Sequence, residues 1–474
     1  MQKVWKMVLF VVLSACVATF IGCGGDDDND SSSSGSSGTS SWTVVYQDTG
    51  GGTGMVTQSP DGTQRKITGE FKANYTMESA YQWFLVGRVS FGEAVDSTGA
   101  NLNALATPTL TIQAGTTVYG LGGEVPGTLI IKRKAKISAA GTSTSPIVFT
   151  SAQANPSSGD WGGLVINGCA PINRTGGEAL GEGSSGYYGG GTNYNDSTDN
   201  SGTLQYVRVE YAGHLFSAEN ELNGIALQGV GSGTTIDHIQ IHRNKDDGLE
   251  FFGGTANAKY IVLTGNEDDS LDCTDGWTGN VQFVVIKQYT NGADHGFEMD
   301  NLEDDNNATP RSAPNISNVT VIGCTGCDDA LKLRRGLAGK FINILVEGYP
   351  TGEYGLDIDS TATFAQATVN NNNTDSLYMH GSVISDAGSE FAVDDGAEDT
   401  FNVATWFGNG TGNATTTTSQ LTSTYVSNTT AGTAQDPTAL GTFFSAGSFI
   451  GGVQSGSDWT ATWTKSGSLT ASSE

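Results

Sequence analysis

The chain has 474 residues, 66 of them glycine against 10 proline, and a formal net charge of −28. That charge excludes a nucleic-acid partner, because a phosphate backbone would be repelled rather than gripped. The glycine-rich composition, with few long helix-forming stretches, points to β structure with many turns.

At the N-terminus, Lys3 and Lys6 precede an apolar stretch from Met7 to Phe20. Its length suits a secretory signal over residues 1–22 rather than a spanning helix. The ending Phe20-Ile21-Gly22-Cys23 resembles the bacterial lipobox, with Phe20 where leucine is commoner. The resemblance implies acylation at Cys23, a membrane anchor made of buried methylenes, and placement in the bacterial envelope. Gly24, in place of the aspartate that commonly retains such proteins on the inner membrane in enteric bacteria, favours export to the outer membrane and its surface. Residues 23–41, ending in the run "GGDDDNDSSSSGSSGTSS", have nothing apolar to bury after the cysteine and read as a flexible tether.

From Trp42 the chain has globular character, and residues 42–66 are expected to form an N-terminal cap. Between 67 and 396 a two-strand rhythm repeats. Five segments superpose on their apolar runs: "IDHIQIHRNKDDGLEFFGG", "AKYIVLTGNEDDSLDCTDG", "VQFVVIKQYTNGADHGFEMDN", "ISNVTVIGCTGCDDALKLRRG" and "FINILVEGYPTGEYGLDID". Neither strand of a coil can hide its apolar face alone, so coils must stack on one another. A period of roughly 20 to 30 residues predicts an all-β solenoid, the single-stranded right-handed parallel β-helix, with N- and C-terminal caps. Strand edges at the ends of such a solenoid need covering. The Thr-rich region 397–474, closing on "FFSAGSFIGGV" and "DWTATWT", is expected to seal the far end.

The segments "LTIQAGTTV", "GDWGGLVINGCAPIN", "LQYVRVEYAG", "LNGIALQGVGSGTTIDHIQIHRNKDDGLEFFGGTANAKYIVLTGNEDDSLD" and the tail "SFIGGVQSGSDWTATWT" resemble a family of secreted bacterial right-handed parallel β-helix proteins and lipoproteins, of pectin-lyase-like fold. The resemblance covers nearly all of the mature chain and implies the fold. It implies no reaction.

Equivalent positions of stacked coils lie about 4.8 Å apart. With Leu249, Leu271, Phe297, Leu331 and Leu356 pointing inward, the next residues form an outward column: Glu250, Asp272, Glu298, Lys332 and Asp357. Three successive acids repel by on the order of 1 kcal/mol per pair in water and by more in a less polar groove. Calcium held by Glu250, Asp272 and Glu298 would relieve them, and so would Lys332, Arg334 and Arg335 one coil on. A second column, Asp247, Asp269, His295, Asp329 and Tyr354, comes directly after Asp246, Asp268, Asp294, Asp328 and Glu353 at the bends, with Asn244 and Asn266 just ahead. Asx residues there suit a turn device that accepts backbone amides.

Partial echoes of polygalacturonase motifs occur in Cys273-Thr274-Asp275, Glu267-Asp268-Asp269, Asp294-His295-Gly296 and Leu331-Lys332-Leu333-Arg334. None is intact, and the first two are in reversed order. A polysaccharide lyase asks less, namely calcium on the acid column and Lys332 or Arg334 as base. Asp269, His295, Lys332 and Arg334 are therefore the catalytic candidates for an acidic glycan. The favoured expectation is instead a non-catalytic scaffold that binds a glycan, a divalent cation or a surface protein.

The histidines His214, His238, His242, His295 and His380 show no zinc spacing, and no nucleophile elbow, phosphate loop or dinucleotide fingerprint occurs. Among the cysteines left after processing, Cys324 and Cys327 are close enough in sequence for a small disulfide, and the pairing of Cys169, Cys273, Cys324 and Cys327 stays open. The Gly-rich stretch 176–202 reads as an excursion whose Tyr187, Tyr188 and Tyr194 either stack on sugar rings or pack on the coil wall.

Overall fold

The computed structural model describes residues 41–93, 102–215, 221–392 and 401–473. Cys23, the signal and nearly all of the tether lie outside the described residues, as does the expected boundary at 396. Within them the chain is a parallel β-helix. Short strands succeed one another in register from Thr128–Ile131 through Gly163–Asn167, Ile225–Gln228, Leu249–Phe252, Leu271–Thr274, Phe297–Met299 and Leu331–Leu333 to Tyr354–Ile358. Beside them runs a stack of longer strands, Gly202–Glu210, Thr235–His242, Asn257–Thr264, Asn280–Lys287, Asn315–Ile322 and Gly339–Glu347. Leu249, Leu271, Phe297, Leu331 and Leu356 are all buried and stand on the inward side of successive rungs. Each such side chain contributes roughly 1.5–3 kcal/mol when fully removed from water. The inner column thus fixes the register that every outward column inherits.

Each long strand turns a corner partway along. Tyr206, His238, Tyr260, Phe283, Asn318 and Asn343 adopt positive φ between 49° and 63°, and the pairing register skips every one of them. A left-handed residue costs roughly 1–2 kcal/mol unless it is glycine or, less so, asparagine. The aromatic members recover part of that by stacking. Ring centroids are 4.3 Å apart for Tyr206–His238, 4.4 Å for His238–Tyr260 and 5.0 Å for Tyr260–Phe283, and such pairs contribute about 0.5–1.5 kcal/mol each.

At the N-terminal end, Thr43–Gln47, Met55–Gln58 and Gln64–Phe71 pair antiparallel, and Gln64–Phe71 then leads the parallel coils. The C-terminal segment corrects one expectation. Only its first part, from Val403 to Thr416, meets the last coils, while its closing segments run back along the flank: Asn343 Nδ2 donates to Gln435 O, Asn318 Nδ2 to Gly447 O, and Lys465 N to Gln240 Oε1. Trp459 and Trp463 meet His238 edge-on there. The far end is met by the helix Val403–Asn409, whose Phe407 packs on Phe391 and whose Trp406 carbonyl accepts from Asn371.

The excursion after Gly163–Asn167 folds back over the outer face of the short-strand stack. Ile172 and Tyr188 pack with Ile130, Val165, Ala226 and Phe252. Its anchor is Asp275, fully buried, which accepts from the Tyr188 hydroxyl at 2.5 Å and from Arg174 Nε at 2.7 Å. Cys324 and Cys327 form a disulfide, whereas Cys169 and Cys273 are free and buried.

Candidate functional site

The doubled acids sit where each coil bends into its short strand. Their second members cap backbone amides one rung on, with a break after His295: Asp247 Oδ1 accepts Asp269 N at 3.0 Å, Asp269 Oδ1 accepts His295 N at 2.8 Å, and Asp329 Oδ1 accepts Tyr354 N at 2.6 Å, whereas Asp329 N is met by Asp328. Asn244 and Asn266, both fully buried, join the bend: Asn244 Nδ2 donates to Asp247 O at 2.7 Å, and Asn266 Oδ1 accepts Asn244 N at 3.2 Å. An acceptor one rung away satisfies an amide that the bend would otherwise strand, worth about 1–3 kcal/mol where buried.

The first members point elsewhere. Asp246 shares a cluster with Glu221 and Asp268, and burial, then the charges of Glu182, Glu221 and Asp268, pushes its pKa up to about 9. Asp268 is raised to about 7, chiefly by burial and then by Asp269. Glu182, reaching in from the excursion, is likewise raised to about 7 by burial and Glu221.

The outward column stacks as Glu250, Asp272, Glu298, Lys332 and Asp357 on successive rungs. Its two halves differ. In the second half each charge has a partner: Lys332 pairs with Asp357, Arg334 with Glu298 and with Asp300 at 2.9 Å, and Arg335 with Asp300 at 2.6 Å. In the first half Glu250 and Asp272 are buried against each other. Asn223 Nδ2 donates to Glu250, and Asp272 stands one rung on in register. Burial, then the neighbouring carboxylates, lifts Glu250, Asp272 and Asp247 well above the usual range. Asp272 Oδ1 is buried and has no hydrogen-bond partner among the described residues.

Three carboxylate oxygens, one each from Asp247, Glu250 and Asp272, lie within 4.8 Å of one another. Some point therefore lies within about 2.8 Å of all three, close to the 2.3–2.6 Å of calcium–oxygen bonds before any adjustment. An all-oxygen, all-anionic donor set is the chemistry of a hard cation.

The family model described as a pectate-lyase-like beta helix domain matches residues 98–464. The chain belongs to that family. A search of the curated proteins finds no match. Among solved structures, the crystal structure of Dettilon tailspike protein is similar at 12% identity and a TM-score of 0.21, covering 70% of this chain and 59% of that one.

Within this pectate-lyase-like β-helix, Asp269, His295, Glu298 and Arg334 come together and Lys332 stands apart. His295 Nδ1 lies 2.9 Å from Asp269 Oδ1 and 3.7 Å from Glu298 Oε1. Burial disfavours the charged ring of His295, but the hydrogen bond and charge of Asp269, with Asp294 and Glu298, outweigh it and raise the pKa to about 9. Glu298 is raised to about 8 by burial and Asp269, against the pull of Arg334. Lys332 faces Asp357 one rung further on, which holds its ammonium charged in spite of burial. Of the polygalacturonase echoes, Asp275 is occupied in anchoring the excursion.

Sequence reasoning missed Asn223, Glu182, Glu221 and Asp300. Asp300 was within reach, since it alternates with Glu298 on one face of a strand. Glu182 and Glu221 arrive from loops remote in sequence, where no periodicity marks them.

Proposed function

We propose that this protein is an envelope-tethered, glycan-binding β-helix that holds a calcium-class cation between Asp247, Glu250 and Asp272 and through it binds an acidic polysaccharide. The observation that carries this is the unpartnered buried oxygen of Asp272, set among two other buried carboxylates. Asp247, Glu250 and Asp272 would be the ligands, and the cation would supply positive charge to a uronate carboxylate. Membership of a pectate-lyase-like family supports a glycan as the partner. The lipobox-like ending at Cys23 supports the tether and a place on the outer membrane surface.

What favours binding over lyase chemistry is the state of the two candidate bases. Burial works against the charge on Arg334, yet Asp300 and Glu298 raise its pKa further still, and Asp357 does the same for Lys332. A base must give up a proton that both groups are held to keep. One observation favours hydrolysis instead: Glu298, its pKa raised to about 8 chiefly by burial, lies beside His295 and Asp269.

The test is incubation of the purified protein with oligogalacturonate in calcium and in EDTA. The expected result is calcium-dependent binding, with neither unsaturated products nor new reducing ends. Binding that survives EDTA would remove the cation, and product formation would replace the scaffold with an enzyme.

A further inference from the structure

A second recess lies between the coil and the excursion, lined by Glu93, Lys132, Arg133, Asn167, Leu180 and Tyr187, with a volume of about 200 Å³. Lys132 and Arg133 come just after the strand Thr128–Ile131, and Asn167 ends the strand Gly163–Asn167. Leu180 and Tyr187 face each other across the two-stranded hairpin of the excursion. The floor belongs to the rigid coil and the wall to the loop.

Two buried side chains in this recess carry unmet hydrogen-bonding capacity of opposite kinds. Arg133, 1% exposed, gives Nη1 to Glu178 and to Gly189 O at 2.9 Å, which leaves Nε and Nη2 without partners. Asn167, also 1% exposed, donates Nδ2 to Ser185 O at 3.1 Å; that bond fixes the amide orientation and leaves Oδ1 unpartnered. Unmet buried groups of this sort cost about 1–3 kcal/mol each, so a site that keeps two donors and one acceptor idle is incomplete without something to engage them. The free Nε–Nη2 edge of a guanidinium is a fork that takes a pair of oxygens.

The remaining lining narrows the chemistry. Leu180 is 52% exposed and Tyr187 is half-buried, and together they give the recess an apolar and aromatic wall. Every charge at the rim is already matched: Lys132 by Glu70, Arg133 by Glu178 and Glu93 by Lys72. The recess therefore has no surplus positive charge for an acid. Drug-sized ligands occupy roughly 300–1,000 Å³, so this volume suits a single ring.

We infer that this recess is a sugar subsite that takes one uncharged pyranose residue of a glycan. The ring face lies on Tyr187 and Leu180, an oxygen pair accepts from Arg133, and a hydroxyl donates to Asn167 Oδ1. A hydroxyl-bearing ring supplies acceptors and donors together, as this lining requires. The subsite is separate from the acid column and does not depend on a cation.

Calorimetric titration of the full protein with neutral oligosaccharides of glucose, galactose, mannose and xylose tests it, with oligogalacturonate as the acidic counterpart. At least one neutral series binds, in EDTA as in calcium, and equally in Asp272→Asn. Tyr187→Ala and Leu180→Ala each weaken that binding about tenfold or more, while Tyr187→Phe stays within about twofold. Leu180 is an exposed position whose truncation leaves the fold intact, so loss of binding there is not loss of structure. No binding by any neutral series overturns the inference, as does binding indifferent to both alanine variants. Tighter uptake of the acidic counterpart in EDTA, abolished by the same variants, overturns the uncharged assignment. Loss of oligogalacturonate binding in EDTA with neutral binding retained separates this subsite from the acid column.

Discussion

Asp272→Asn keeps the shape of the side chain and removes one of three buried carboxylates. Two unit charges no farther apart than 4.8 Å repel by roughly 3–4 kcal/mol at an effective dielectric of about 20. Burial lifts both carboxyls well above the usual range, so protonation absorbs part of that repulsion and relief of about 1–3 kcal/mol is expected in EDTA. The sign with pH is set by the raised values. A carboxylate whose folded pKa exceeds its unfolded value keeps a proton that unfolding releases, so stability falls as pH rises from about 4 and the penalty is complete above the folded pKa. With Asp268 raised to about 7, Glu298 to about 8 and Asp246 to about 9, that window spans neutral pH. A cation replaces the protons. Calcium at about a hundred times its dissociation constant stabilises by about 2.7 kcal/mol, or about 3 °C for a unit of this size. Differential scanning calorimetry should show that rise near pH 8, a smaller one near pH 5, and at most about 1 °C for the variant, which starts higher than wild type in EDTA. Stacked coils can unfold in stages, so a calorimetric calcium titration is the companion measurement. Wild-type protein with no binding heat and no shift at either pH refutes the cation site.

Tyr188→Phe deletes the hydroxyl that Asp275 accepts, leaving that buried carboxylate to Arg174 alone; a loss of about 1–3 kcal/mol should appear as faster hydrogen exchange across 176–202, with the coils unchanged. Tyr260→Ala removes two stacked contacts, to His238 at 4.4 Å and to Phe283 at 5.0 Å, and should cost about 1–3 kcal/mol by denaturant unfolding. Tyr260→Asn should cost less than the alanine, because asparagine tolerates the left-handed corner.

The inner column was legible because its residues must be apolar at one position per coil. Leu249, Leu271, Phe297 and Leu331 announce the register, and Glu250, Asp272 and Glu298 are placed from it by the alternation of a strand. The capping role of Asp247, Asp269 and Asp329 was legible for a related reason, since a device useful at a bend recurs from coil to coil. The aromatic corner was not read, although it left a mark. In Leu204 to Val207, Ile236 to Ile239, Ala258 to Ile261 and Val281 to Val284, two residues separate inward positions where a straight strand allows one. The extra residue is the left-handed one. Taken as uninterrupted strands, these runs hide the bend, and with it the surface that draws the C-terminal tryptophans to the flank rather than to the end. The recess beneath Tyr187 was beyond sequence reasoning, because Arg133 and Asn167 become neighbours only when coils and excursion are assembled.

In-register stacking also explains why the first half of the acid column stands out. A β-helix cannot relieve a like-charged column by rotating one rung, because rotation would expose the inner leucines, so relief must come from the identity of the side chains. One coil further on the chain applies that remedy: Lys332 meets Asp357, and Arg334 reaches back to Glu298 and Asp300. If acids were placed here only for solubility, Glu250 and Asp272 would be the exposed members of the column. Instead they are among its most buried, at 6% and 9% exposure, with Arg334 reaching no closer than Glu298 and one oxygen of Asp272 unpartnered. Burial without an internal cation is the costly combination, and within this column it falls on the rungs where Asp247 supplies a third oxygen. An external cation would remove that cost at Asp247, Glu250 and Asp272, as the proposed function requires.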